Sequence, residues 1–288
     1  MRDSSIEIDP EAASFFTLDR QHLIERAPAS KAIDVVDDIL GLNAQGALNY
    51  QLSLWNRVSD LDRGFIPNSL FEDRSLVRTW LMRDTVHIVP AHRLPRLRSA
   101  LRESLLREWN RWTVKTGAKE DPSSWEPRYA KVLRALEGEP LTVNQILSVL
   151  GWSWKDAKRD LNRLVREMSL RGLLCHATSS GPWYHDTEHS FARLDMWLPG
   201  SGSSMPELDA KAELALRYLK GFGPASLNDF AYWTGMRVGD ARPIFESLSE
   251  SIVEVEITGQ KRKAYILEED ASNLQGLGGI PPHARLLP

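Results

Sequence analysis

A helix-turn-helix pattern that recurs at fixed spacing, apolar stripes at helical period, and an alternating stretch after each helical group predict the fold class. It is mainly α with small β-hairpins, arranged as three tandem winged-helix units. The repeat is the sharpest signal: Pro140, Thr142, Gly151, Asp156 and Ala157 each stand 84 positions before Pro224, Ser226, Gly235, Asp240 and Ala241. Thr142 and Ser226 precede Gln145 and Asp229 by three residues, the form of a capping box that opens a helix. Gly151 and Gly235 then supply the sharp turn, and the helices that follow carry Leu161 and Leu164, or Phe245 and Leu248, inward. Pro28-Ala29-Ser30 echoes Pro224-Ala225-Ser226, which makes the first unit the third copy.

Residues 1–17 are polar and acidic and read as an arm. The first unit is expected over 18–92: a helix from Ser30, as N-cap, to Leu40, with Gly41 as its stop, then a second apolar stripe at Leu48, Leu52, Trp55 and Val58. Asn43 and Gln45 fall on the joint between these helices, where an extended connector points both carboxamides the same way. A hairpin closes the unit, with strands over 76–82 and 85–89 around Asp84-Thr85. Residues 93–127 form a helix and linker. Leu94, Leu97, Leu101, Leu105 and Trp112 share one face of that helix, and Arg93, Arg96, Arg107 and Arg111 cluster on another, either a solvated face or a phosphate-binding one. The second unit spans 128–198 and ends in a hairpin from Leu173 to Ala177 that turns at Ser179 to Pro182 and returns through Trp183 and Tyr184. After a joint at 199–206, the third unit spans 207–270, and its hairpin has a basic edge at Lys261, Arg262 and Lys263. Residues 271–288 form a Gly- and Pro-rich tail.

The formal net charge of −3 gives no global basic field, so a nucleic-acid site has to be a local patch. One cysteine, Cys175, excludes an internal disulfide framework and suits a reducing compartment. No apolar run is long enough to span a bilayer, and the acidic N-terminus lacks a signal-peptide pattern, so a cytoplasmic protein with no membrane partner is expected. His185-Asp186-Thr187-Glu188-His189 matches the H-x-x-E-H zinc signature, but that chemistry needs a stable helix where the repeat places a hairpin return; no metal or other cofactor is expected.

Asn43-Ala44-Gln45, the apolar helix ending in Leu54-Trp55, the stretch from Ser75 to Arg83 with His87, Trp152-Ser153-Trp154-Lys155 with Lys158, and the closing Ala284 to Pro288 together resemble the bacterial winged-helix DNA glycosylases of the AlkZ and YcaQ type. That family has Gln-hydrophobic-Gln or Gln-hydrophobic-Asp where this chain has Asn43-Ala44-Gln45. The resemblance implies hydrolysis of the N-glycosidic bond to a purine alkylated on N7 or N3, or joined in an interstrand crosslink, by a monomer acting on damaged double-stranded DNA at the nucleoid. An alkylated purine leaves as a neutral base, so the site has only to place water and tolerate an oxocarbenium-like sugar. Gln45 would orient the water and Asn43 would assist. The implied DNA contacts are Arg78, Arg83 and His87 of the first hairpin, Arg93 and Arg96, Lys155, Lys158 and Arg159 of the second unit, Arg237 and Arg242 of the third, and Lys261, Arg262 and Lys263. The family continues into a β-rich part beyond the position of Pro288. A different reading from the same architecture is a non-catalytic DNA-binding protein, such as a regulator or an inactive paralogue.

Overall fold

The computed structural model describes residues 6–115, 125–180, 188–200 and 205–274. The chain is mainly helical, with strands gathered into one six-stranded sheet, one three-stranded sheet and a two-stranded pair. The N-terminal segment corrects the expectation of an arm. Strand β1 (Ile6–Ile8) leads into helix α1 (Pro10–Arg20), which is capped by the Asp9 carboxylate accepting from the Ala12 N–H at 2.7 Å. Ile8, Ala13 and Phe16 are buried against the last hairpin of the chain, and these apolar residues tie the acidic segment down.

Strand β2 (Ala27–Pro28) precedes a short 3₁₀ turn and helix α2 (Ala32–Asp38). Ser30 lies in that turn and does not cap the helix, whose N-cap is Lys31, one residue later than expected. The stop comes earlier than expected: the helix ends at Asp38, Leu40 rather than Gly41 takes the left-handed φ of 56° after the cap, and the Gly41 N–H donates to the Val36 carbonyl at 2.8 Å. Gly41 has φ +110°, and a Cβ there would stand 2.7 Å from Val89 Cγ1 and 2.9 Å from the Ile88 carbonyl oxygen. Chain direction reverses into β3 (Leu42–Asn43) and helix α3 (Ala47–Trp55). That helix is rotated from the expected stripe: Ala47, Tyr50, Gln51 and Leu54 are buried, whereas Leu48 is 43% exposed, and Val58 belongs to strand β4 (Val58–Ser59). Both sets recur at helical spacing, so periodicity alone does not choose between them.

Helix α4 (Phe65–Phe71) feeds the first hairpin, β5 (Leu76–Trp80) and β6 (Val86–Pro90). Its tip carries two successive left-handed residues, Arg83 and Asp84, at φ 53° and 56°. Helix α5 (Leu94–Lys115) then runs across the molecule, burying Leu94, Leu97, Leu101, Leu105 and Trp109. The second unit comprises α6 (Glu126–Ala135), β7 (Leu141–Thr142), α7 (Val143–Leu150), α8 (Trp154–Leu170) and the strands β8 (Leu174–Ser180) and β9 (Glu188–Arg193), followed by the single turn α9 (Leu194–Trp197). The third comprises α10 (Glu207–Phe222), α11 (Leu227–Thr234), α12 (Val238–Ser247) and the hairpin β10 (Ile252–Ile257) and β11 (Ala264–Leu267).

The repeat is realised in detail. Thr142 with Gln145, and Ser226 with Asp229, form reciprocal capping boxes, and Gly151 and Gly235 end α7 and α11 in the left-handed conformation at φ 73° and 81°. Leu161, Leu164, Phe245 and Leu248 are buried. In the second hairpin β9 begins at Glu188, and the expected return at Trp183 and Tyr184 lies outside the described residues. Glu188 and His189 start this strand, so the H-x-x-E-H segment does not form one helical turn; His185 lies outside the described residues.

Three arrangements go beyond the sequence. The first and second hairpins merge into a sheet of order β3-β6-β5-β8-β9-β7, joined where Arg78 pairs with His176. In the other sheet, β1 pairs in parallel with β10, placing Ile6 opposite Val255. The tip of the first hairpin also packs on the third unit: a Cβ at Gly235 would lie 3.1 Å from Arg83 Cα, so the turn between α11 and α12 needs a glycine for close approach as well as for φ.

Candidate active site

The Asn43-Ala44-Gln45 stretch leaves the sheet as β3 ends. Asn43 pairs with His87 across the strands, and Ala44 donates its N–H to the Val86 carbonyl at 2.8 Å. The two carboxamides meet as expected of an extended connector. Asn43 Nδ2 donates to Gln45 Oε1 at 3.3 Å, and the Gln45 backbone N–H donates to Asn43 Oδ1 at 3.2 Å. The short Asn side chain thus closes an Asx turn on the residue two positions on, and the same amide orients Gln45. Among the described residues nothing else meets the Gln45 amide, which leaves its Nε2 protons and one Oε1 lone pair for another molecule.

Gln45 borders a cleft of about 550 Å³ lined by the six-stranded sheet and helices α5 and α8. Its floor is aromatic: Trp80 stacks on His176 at 4.8 Å between ring centres, and Phe191 lies 4.8 Å from His176. Trp109 and Trp112 of α5, stacked at 5.1 Å, form a wall, with the Arg166 guanidinium 4.8 Å from the Trp109 ring centre and that of Arg163 5.4 Å from Trp112. Burial holds His176 well below the ordinary imidazole value, and the Arg78 charge pushes the same way. Its Nδ1–H donates to the Arg78 carbonyl at 3.3 Å, so the neutral ring turns Nε2 away as an acceptor. Asp84 grips Arg166 from the hairpin tip, accepting from its Nε at 2.8 Å and also from its Nη2. Burial pushes the Asp84 carboxyl above the ordinary carboxylate value, against the pull of that guanidinium.

The basic residues read from the sequence divide into several groups. Arg78 is buried at 6% exposure, borders the cleft and donates to the Ala44 carbonyl. His87 is buried too; removal from water lowers its pKa to about 4, and its Nδ1–H donates to the Thr85 carbonyl, so it is a neutral interior group and not part of a duplex-facing surface. Arg83 is exposed at the hairpin tip and donates to the Trp233 carbonyl at 3.0 Å. Arg93 is committed to acids: Nε and Nη2 to Asp37 at 2.9 and 2.8 Å, and Nη1 to Glu213 at 2.7 Å. Burial would raise Asp37, but Arg93 and Arg217 reverse that and hold it below the ordinary carboxylate value. Arg96 pairs with Glu213, Arg107 with Asp240, and both Arg111 and Arg237 with Glu108. The basic face of α5 is therefore largely a set of ties to α2, α10 and α12, made by acids that approach from elsewhere in the chain. Lys155, Lys158 and Arg159 fall in the first turns of α8, with side chains outside the described part. Arg242, Lys261, Arg262 and Lys263 are exposed, and Lys263 pairs with Glu254 at 2.8 Å.

Sequence reasoning missed the cleft's aromatic and guanidinium lining. Trp80, Trp109, Arg163, Arg166, His176 and Phe191 come from five separate elements, and no local motif joins them. Among the described residues no three His, Cys, Asp or Glu side chains gather in a way that could hold a metal ion.

The family model described as DNA glycosylase AlkZ-like matches residues 36–288. An interstrand DNA cross-link repair glycosylase from Streptomyces sahachiroi is 27% identical over 275 residues, covering 89% of this chain and 69% of that protein. The solved structure of Streptomyces sahachiroi DNA glycosylase AlkZ superposes with a TM-score of 0.80 at 22% identity, covering 95% of this chain and 74% of that one, a likeness of fold. The chain belongs to the AlkZ-like DNA glycosylase family, and DNA is the substrate that the family implies. Among the described residues no helix is long and apolar enough to cross a membrane.

Proposed function

We propose that this chain releases purines alkylated on N7 or N3, or held in interstrand crosslinks, from duplex DNA by hydrolysing the N-glycosidic bond. The observation that carries this reading is the Asn43–Gln45 carboxamide pair, hydrogen-bonded to each other at the border of the aromatic cleft. In this reading Gln45 Oε1 accepts a hydrogen bond from the attacking water, and Asn43 fixes the Gln45 amide. A carboxamide cannot strip a proton from water, so only a base made a good leaving group by alkylation reacts. The stacked aromatic floor suits a base drawn out of the helix. The Streptomyces sahachiroi relative, an interstrand DNA cross-link repair glycosylase, supports crosslinks as one substrate.

The same proposal takes the units at 18–92, 128–198 and 207–270 as three winged helices that cradle the duplex as a monomer at the nucleoid. Arg83, Arg96, the start of α8, Arg242 and the Lys261 to Lys263 edge contact phosphates. The test is abasic-site formation, read as alkali-labile strand breaks, in duplex DNA carrying N7-methylguanine, with wild type and Gln45→Ala. Release that disappears in the variant while duplex binding persists is the expected result. Tight binding without release by the wild type would leave a non-catalytic DNA-binding protein.

A further inference from the structure

The peptide that carries both carboxamides is gripped from two sides. Ala44 is fully buried; its N–H donates to the Val86 carbonyl at 2.8 Å and its own carbonyl accepts from Arg78 Nη2 at 2.9 Å. Whatever fixes that peptide fixes the direction in which Asn43 and Gln45 leave it. Arg78 comes from the middle of β5, with its Cζ 5.7 Å from the Tyr50 ring centre on α3. Its backbone pairs with His176 of β8, and its carbonyl accepts the His176 ring proton. One residue therefore holds the motif with its side chain and the second unit with its main chain.

We infer that Arg78 is a positioning residue for base release, which sets the water-orienting carboxamide relative to the aromatic floor of the cleft. This rests on the roles of Asn43 and Gln45 given above. A charge-assisted bond to a carbonyl within the protein is short and directional, which is what a group defining a reaction geometry needs. The alternative use of an arginine in a DNA-binding protein, neutralising a duplex phosphate, fits a side chain at 6% exposure poorly.

The test uses the whole chain and the N7-methylguanine duplex. Single-turnover base release and duplex affinity are measured separately for wild type, Arg78→Ala, Arg78→Met and Gln45→Ala, and thermal melts check folding. Both Arg78 variants should release base about 100-fold more slowly, as expected when reacting groups shift by about an ångström. Duplex affinity should stay within about twofold of wild type, because no phosphate contact is removed. Millimolar guanidinium should restore part of the rate in Arg78→Ala and none in Gln45→Ala, a response that a purely structural role would not give. Arg78→Met keeps the side-chain bulk and decides the matter if Arg78→Ala does not fold. Wild-type rates in the Arg78 variants with loss in Gln45→Ala overturn the inference alone. An affinity loss that accounts for the rate loss, with the salt slope of binding reduced by about one, makes Arg78 a phosphate contact and also overturns it. A wild-type rate in Gln45→Ala overturns the reading beneath it.

Discussion

His87 makes the fold acid-sensitive, by an amount that the structure sets. Burial at 4% exposure lowers its pKa to about 4, and the bond from Nδ1–H to the Thr85 carbonyl only partly opposes this. In the unfolded chain a histidine titrates near 6.5. Between those values the unfolded state binds the extra proton, so the contribution of His87 is complete above about pH 6.5 and is lost as the pH falls toward 4. At about pH 5 the loss relative to pH 7.5 comes to about 2 kcal/mol from this side chain. Urea unfolding followed by tryptophan fluorescence at both pH values, for wild type and His87→Gln, isolates it. His176 is depressed in the same sense, but it is present in both proteins and cancels in the comparison. The pH-induced loss should be smaller in His87→Gln by about 2 kcal/mol, whatever the absolute stability of that variant. Equal losses in the two proteins would show that His87 is not held neutral by the strands around it.

Gly41→Ala would force a side chain into contact with Val89 and the Ile88 carbonyl at φ +110°. It should lower stability by about 3 kcal/mol and the melting temperature by roughly 6–12 °C by calorimetry. Because Gly41 leads directly into β3, base release should fall further than the loss of folded protein explains. Replacing Lys261 and Arg262 together by alanine should weaken duplex binding on any sequence and reduce the slope of log affinity against log salt by about 2, measured by fluorescence anisotropy. An unchanged slope would take the third hairpin off the DNA.

Local chemistry was readable from the sequence wherever a residue type serves one backbone need. The capping boxes at Thr142 and Ser226 and the left-handed Gly151 and Gly235 stand where the spacing placed them. The common direction of Asn43 and Gln45 was equally readable, because it follows from the alternation of an extended chain. Features that depend on distant partners were not. Nothing within Ile6 to Ile8 announces a partner near Val255, and nothing near Arg93 announces Asp37 and Glu213. The arginine stripe on α5 was visible as charge, and only the packing of α2 and α10 shows that acids meet it. Choosing between the two apolar stripes of α3 likewise required the neighbours of Tyr50 and Leu54.

The six-stranded sheet ends on both sides in a strand of two residues, β3 at Leu42–Asn43 and β7 at Leu141–Thr142. A long unpaired edge strand is a template on which another chain can add, and it is how many sheets begin to aggregate. Here the merged hairpins turn inner strands toward each other, and each outer strand is a stub that pairs with two residues of the strand it covers, β6 or β9. A newcomer would find too little ladder to register against. The segment that delivers Asn43 to the cleft thus also guards the sheet against growth, and lengthening it would expose the molecule to self-association.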